Sequence, residues 1–333
     1  MSTVVVVRPR ALGDLILVTP AWRALAAAGH AVHAVTEARF TPLLQGMPWL
    51  AGVHAIERTN LSTVTTLRTL RKLKPAMAVD FFGNVRTAVL AKGCGAPVVW
   101  GFDLRGRKHF YTHTVPRELR FGADGREYAV DVHMRLALAA GGVEAGRRPE
   151  IMVGSTAAAA AERLLAEAGV REPGRTVGVV ASGTSQVRAL PVAHSAVLAR
   201  GLMEAGYEVL LITGPGEAGL TRRFVAVAPG ARVLPPCGVA ELAAVVQRLR
   251  AVVGTNSGPQ HMAGAFDVAS FAFFGPLHPD TWSPRGPRHA YWRTDVPCRA
   301  CDRTECAHWH CMTRISPGEA ADRVLEHLRS HEA

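Results

Sequence analysis

No stretch of 18 apolar residues free of charge occurs in the sequence, so no membrane-spanning helix is expected. No basic segment precedes a long apolar run at the start: Met1-Ser2-Thr3 leads straight into four valines, residues 4–7. No secretory leader is therefore expected, and the cytoplasm is the expected compartment. The dinucleotide fingerprint G-x-G-x-x-G is also missing. The valine run is followed by Arg8-Pro9-Arg10-Ala11-Leu12-Gly13-Asp14, with a single glycine, which argues against a nicotinamide or flavin enzyme. Acidic residues are scarce beside basic ones, 27 against 38, a formal charge of +11. Such an excess favours phosphorylated ligands, nucleic acid or an anionic membrane face, although a GC-rich genome accounts for it equally well. The basic residues are spread along the chain and are not interleaved with aromatics, which disfavours nucleic acid.

At 333 residues the chain exceeds what one core usually supports, and two domains are expected. A continuous β-branched run over residues 3–7 suits a strand buried on both faces of a parallel sheet. A helix over residues 15–28 follows, with Leu15, Val18, Trp22 and Leu25 on its apolar face, then Gly29 and a strand over 30–36. This β–loop–α–β unit predicts a doubly wound domain. Further strands are expected over 53–56, 77–82 and 98–101, and helices over 62–72, 85–92 and 130–141. After an Ala-rich helix over 155–168 the scheme restarts. Strands are expected over 176–180, 208–212, near 232–234, over 250–253 and over 269–274, with helices over 192–205 and 239–249 and from 260. The domains are set at 1–170 and 171–333, two Rossmann-like α/β domains facing across a cleft, the second ending in a Cys-rich segment and a terminal helix.

The candidate chemistry gathers at strand ends, where open α/β sheets place their ligands. Gly254-Thr255-Asn256-Ser257-Gly258 is a small-residue turn leading into a helix, with His261 in its first turn. Such a turn is an ordinary βα loop or a phosphate site, because unsatisfied amides and the helix dipole favour an anion. The loop over residues 182–188 is rich in small hydroxyls and amides and ends in Arg188, which suits a diphosphate. Asp14 is placed either as a catalytic carboxylate or as a cap for the following helix.

Four of the six cysteines are clustered as Cys298-x2-Cys301-x4-Cys306-x4-Cys311, with His308 and His310 inside. Zinc and an iron–sulfur cluster both fit these ligand types; disulfides or free thiols are the alternative. Four thiolates would leave no open coordination position, so any such metal is structural.

In order along nearly the whole chain, these motifs resemble glycosyltransferase family 9, the ADP-heptose:lipopolysaccharide heptosyltransferases. Residues 8–20, with G-D ahead of an apolar run and Thr19-Pro20, resemble its N-terminal motif. Residues 79–86 and Gly101-Phe102-Asp103 resemble its middle motifs, and residues 254–261 its signature G-x-D-S/T-G-x-x-H. The cysteine spacing recurs in many members. The resemblance implies the GT-B fold, with the acceptor on the N-terminal domain and the nucleotide sugar on the C-terminal one. It implies inverting transfer that requires no cofactor, with Asp14 as general base and Arg188 neutralising the departing diphosphate. Thr184, Arg188, Glu217, Asn256, Ser257, Gly258 and His261 are the implied donor contacts, and Arg8, Arg10 and Arg86 are candidates for an anionic glycan or glycolipid acceptor. Asn256 stands where the family has Asp, and Ala189-Leu190-Pro191 replaces an aromatic-Pro pair. Both departures bear on which sugar is used.

The implied partners are thus a nucleotide-diphosphate sugar such as ADP-heptose, a cell-envelope acceptor and, peripherally, the inner membrane. A nucleotide-sugar epimerase of the same fold would need further acid/base carboxylates that the strand-end loops lack. A non-catalytic nucleotide-sugar or metal-binding regulator fits Asn256 and the cysteines.

Overall fold

The four valines at residues 4–7 have no exposed surface. Burying each of them contributes about 1.5–3 kcal/mol, and a strand so enclosed can only lie at the centre of a sheet covered on both faces. The computed structural model describes residues 1–118, 120–121, 125–183, 185–298 and 300–331. In it the run is strand β1 (Thr3–Val7), paired on both sides with parallel neighbours.

The first unit, Met1–Gly154, continues with α1 (Leu12–Ala27), β2 (Ala31–Glu37), β3 (Leu50–Ile56), α2 (Asn60–Lys72), β4 (Met77–Asp80) and α3 (Val85–Gly93). Strands β5 (Val98–Phe102) and β6 (His113–Val115), a short antiparallel pair β7 (Arg120–Phe121) and β8 (Gly125–Arg126), and helix α4 (Ala129–Ala139) complete it. Its sheet is wholly parallel, in the order β3-β2-β1-β4-β5-β6. Helices α1 and α4 pack together, and α2 and α3 pack together with α3 on β1 and β4.

The second unit, Ser155–Ala333, opens with α5 (Ser155–Glu167), β9 (Thr176–Val180), α6 (Val192–Glu204), β10 (Glu208–Ile212), α7 (Ala218–Val227), β11 (Arg232–Val233) and α8 (Val239–Val246). It continues with β12 (Ala251–Thr255), α9 (Gly258–Phe266), β13 (Ala269–Phe273), α10 (Pro279–Trp282), β14 (His289–Trp292), α11 (His310–Thr313) and α12 (Pro317–Arg329). The sheet order is β11-β10-β9-β12-β13-β14, again wholly parallel. Helix α5 packs on α8, which puts it with the second unit, ahead of the 170/171 boundary set from the sequence.

The two sheets have the same strand order, so each has its chain reversal between its first and fourth strands, β1 and β4 in one, β9 and β12 in the other. A doubly wound sheet opens its ligand crevice at this switch point, on the C-terminal side. The registers correspond as well: Val7 stands opposite Asp80, and Val180 opposite Gly254. Both Rossmann-like domains expected from the sequence are present. No helix among the described residues is long and apolar enough to cross a membrane.

Candidate active site

At the first switch point β1 gives way to the 8–11 loop and α1. The N-cap of α1 is Ala11, whose side chain makes no capping bond, so Asp14 is not the cap; it lies in the first turn, at the positive end of the helix. Its partner is Arg8. The Arg8 guanidinium is only 2% exposed, donates from Nη1 to the Phe81 carbonyl at 2.6 Å and forms an ion pair through Nη2 with Asp14 Oδ1. Asp14 itself keeps a quarter of its side chain open, at 25% exposure. A buried guanidinium needs a counter-charge, and Asp14 supplies it. This corrects the expectation that Arg8 contacts an acceptor, because it has almost no surface to offer.

Asp80, at the end of β4, is fully buried. Its Oδ1 accepts from the Phe82 and Gly83 amides at 2.9 and 3.1 Å, and its Oδ2 accepts from the Tyr111 hydroxyl at 2.8 Å. Burial pushes the Asp80 carboxyl above the ordinary carboxylate range, with those hydrogen bonds opposing. Arg117 donates to the Phe82 carbonyl at 3.1 Å. Behind them His133 is buried, and burial followed by Arg8, Arg117 and Arg135 drives its pKa far down, so the ring is neutral. The Phe81–Gly83 turn is thus held by Asp80 through its amides and by two arginines through its carbonyls.

Beside this turn is a cavity of about 160 Å³ whose lining includes Arg10, Glu37, Arg58, Asn84 and Arg86. Arg10 also stacks on the Phe82 ring at 5.5 Å. Arg86 is anchored: it donates to Thr63 Oγ1 and the Thr59 carbonyl at 3.0 Å each, and to the Glu57 carbonyl. Arg10 and Arg86 therefore share one cavity, but Arg86 first fastens the start of α2. Glu37 pairs with Arg39 at 2.8 Å and Arg58 at 2.9 Å. Burial alone would raise its carboxyl, yet the two arginines hold it below the usual value.

At the second switch point Gly254 has φ +131°, and a Cβ there would stand 2.1 Å from the Val180 carbonyl oxygen. Only glycine allows this approach, which sets the end of β12 against the end of β9. The 182–188 loop and the 254–258 turn consequently leave the sheet side by side. Thr184 lies outside the described residues. Arg188 closes the short turn Gln186–Arg188, its amide bonded to the Ser185 carbonyl at 3.1 Å. Ser257 is the N-cap of α9, but its hydroxyl turns back to the Thr255 carbonyl at 3.2 Å and does not cap the helix. Gly258 and Pro259 form the first turn, and His261 is buried one residue beyond Gln260. Ser185 Oγ, Thr255 Oγ1 and Asn256 Nδ2 are enclosed with no hydrogen-bond partner among the described residues. Polar atoms buried in this way point to a ligand or water that satisfies them. At the neighbouring strand end Glu217 Oε2 accepts the Gly214 amide at 2.6 Å, closing its own turn.

Gln260 was not singled out by sequence. Fully buried, it donates from Nε2 to the carbonyls of Val252 at 3.3 Å and Phe271 at 3.1 Å, locking α9 to two strands. A lone glutamine at a helix start carries no signal of that role.

All four clustered cysteines are free thiols, as are Cys94 and Cys237, so the disulfide alternative is not realised. Cys298, Cys301, Cys306 and Cys311 border one cavity of about 40 Å³ together with His308, His310, Val187 and Pro276. The His308 amide, followed by the Trp309 amide that Cys306 Sγ accepts at 3.3 Å, holds the Cys306 thiol below the usual value. Burial, with the other cysteines adding, pushes Cys311 up to about 11. Among the described residues no three Cys, His, Asp or Glu side chains converge closely enough to hold a metal ion.

A family model described as glycosyltransferase family 9 (heptosyltransferase) matches residues 64–311. That stretch contains residues 80–86, both loops of the second switch point and the four cysteines, and leaves Asp14 outside. The chain is 28% identical over 179 residues to lipopolysaccharide heptosyltransferase 1 of Pseudomonas aeruginosa, which is 48% of this chain and 50% of that protein. The alignment therefore spans about half the length of that curated relative. Among solved structures, a family 9 glycosyl transferase from Veillonella parvula superposes with a TM-score of 0.86 at 17% identity, covering 99% of this chain and 98% of that one. The ADP-heptose lipopolysaccharide heptosyltransferase II of E. coli does so with 0.79 at 18% identity, covering 99% and 100%.

Proposed function

The chain belongs to glycosyltransferase family 9, and from that footing we propose that it moves a heptose from ADP-heptose to a hydroxyl of a lipopolysaccharide core or a similar cell-envelope glycan, with inversion at the anomeric carbon. The single observation that carries this reading is the Arg8–Asp14 pair: a carboxylate, a quarter exposed, stands at the C-terminal edge of the first sheet at its switch point. The relatives' names supply the sugar and the nucleotide.

In this mechanism Asp14 takes the proton of the acceptor hydroxyl as that oxygen attacks the anomeric carbon. The bond between that carbon and the diphosphate oxygen breaks, and the electron pair leaves with ADP. Arg188, the first-turn amides of α9 beyond Ser257 and Gly258, and His261 neutralise the charge that develops on the diphosphate, so the chain's own groups supply the leaving-group stabilisation. Thr184 adds to the same diphosphate set. Asn256 holds donor-sugar hydroxyls, in keeping with its enclosed amide nitrogen, and Glu217 faces the ribose. Arg10 and Arg86, with Arg58 in the same cavity, meet anionic groups of the acceptor.

No step requires a metal or other cofactor. For residues 298–311 a structural zinc or iron–sulfur site would require the four thiols that border one cavity to draw closer together than their described positions place them. Metal analysis of the purified protein, with the Cys301→Ser/Cys306→Ser chain as control, checks for such a site, and a metal-free, fully folded wild type refutes it. The cytoplasm is the assigned compartment, with peripheral contact to the inner membrane supported by the +11 charge.

The test is turnover. Incubation with ADP-heptose and a heptose-free core acceptor should release ADP and give a heptosylated product of inverted anomeric configuration by NMR. Asn256 favours a second reading, a binder that holds the donor without consuming it. Donor binding without ADP release would establish that reading and reject transfer.

A further inference from the structure

We propose that Arg8 is a positioning residue, whose buried guanidinium fixes Asp14 in one orientation for proton abstraction. The inference rests on Asp14 being the base and goes beyond it, to what makes that carboxylate a usable one.

The geometry leaves Arg8 little freedom. Its backbone amide is bonded to the Val35 carbonyl at 3.0 Å, on the neighbouring strand. Its guanidinium bridges two elements, with Nη1 on the Phe81 carbonyl and Nη2 on Asp14, and lies over the Phe82 ring at 4.9 Å. The Phe81–Gly83 turn that receives it is itself held by Asp80, and Asp80 is held by Tyr111. A line of contacts thus runs from Tyr111 through Asp80 and the turn to Arg8 and ends on Asp14.

The charged and titratable groups facing this pair come from every element packed around it. Arg10 lies on the same loop, Asp80 on β4, Arg117 beyond β6, and His133 and Arg135 on α4. Asp80 and Asp14 draw positive charge toward Arg8, and Arg117 opposes it. His133 is neutral, so Arg8 is the cation in contact with Asp14. Losing the guanidinium must therefore release the Asp14 side chain and slow the proton-transfer step while donor binding holds, whereas a purely structural loss would lower both.

Arg8→Met and Arg8→Lys chains are compared with wild type for ADP release from ADP-heptose across pH 4–9, together with KM for the donor and the melting temperature. The expected result for Arg8→Met is a kcat lower by about 10- to 100-fold, as for a mispositioned general base. Donor KM should hold, so that the loss falls on kcat alone. Arg8→Lys, which keeps the charge but cannot reach Asp14 and the Phe81 carbonyl together, should lie between the two and carries the test if Arg8→Met does not fold. An unchanged kcat in folded variants, a loss confined to acceptor KM, or failure of both chains to fold would each overturn the inference. Asp14→Asn is measured in parallel. Retained activity there removes the base reading itself, whereas lost activity there with an unchanged kcat in the Arg8 variants removes only the role of Arg8.

Discussion

Gly101 and Tyr111 are in close contact: a Cβ on Gly101 would stand 2.5 Å from the Tyr111 ring, and the hydroxyl of that ring reaches Asp80 at 2.8 Å. The glycine lets the ring approach the β5 backbone this closely, and the ring supplies the donor that the buried Asp80 carboxylate requires. Gly101→Ala should therefore expel the ring and break the bond together, costing about 3 kcal/mol. Tyr111→Phe loses the bond alone and should cost about 1–3 kcal/mol. Urea unfolding of both variants checks the order; equal stability of Gly101→Ala and wild type would contradict it.

Much of this fold could be read from the sequence because its central strands are unambiguous. The valine run before Arg8 and the Thr176–Val180 run admit no reading but a doubly covered strand. The edge strands could not be read so: β6 exposes His113 and Thr114, and β14 is half open along its length, so neither shows an apolar run. The start of α1 was placed three residues late because its N-cap, Ala11, is no capping residue type. At the site, both loops of the second switch point stood out through glycines and hydroxyls. Arg8 was misread because an arginine at a strand end looks like a ligand contact until the Phe81 carbonyl, distant in sequence, is folded against it.

Glu37 gives a pH dependence of defined sign. Its folded carboxyl is held below the ordinary value by Arg58 and Arg39 against the opposing effect of burial. The folded chain therefore binds fewer protons there than the unfolded chain, and this stabilisation is present above pH about 4.3 and lost as pH falls through the lowered value. The stability difference between wild type and Glu37→Gln, measured by denaturant unfolding, should be largest near neutrality and shrink below pH 4. A difference that grows on acidification would refute the pairing.

Arg188 is expected to act on the leaving group. Arg188→Ala should lower kcat/KM for ADP-heptose by about 100-fold, with Arg188→Lys recovering part of the loss, because a lysine keeps the charge without the planar fork. Steady-state kinetics decide. An unchanged kcat/KM would remove Arg188 from the diphosphate site.

Asn256 is expected to act on the sugar. Its enclosed Nδ2 has no partner among the described residues, and a donor hydroxyl would satisfy it. Asn256→Ala should weaken binding of ADP-heptose by about tenfold, equivalent to one hydrogen bond of roughly 1.4 kcal/mol, and leave ADP binding alone. Calorimetric titration with the two ligands separates these, and equal losses for both would place Asn256 on the nucleotide instead.

The most direct measurement is the rate of ADP release from ADP-heptose in the presence of a heptose-free core acceptor, wild type against Asp14→Asn. General-base removal typically costs about 10²–10⁴ in rate, so the variant should bind ADP-heptose as wild type does and turn it over at least 100-fold more slowly. Equal rates in the two chains, or donor bound and never consumed by the wild type, would contradict the assignment of this protein as a heptose-transferring enzyme with Asp14 as its base.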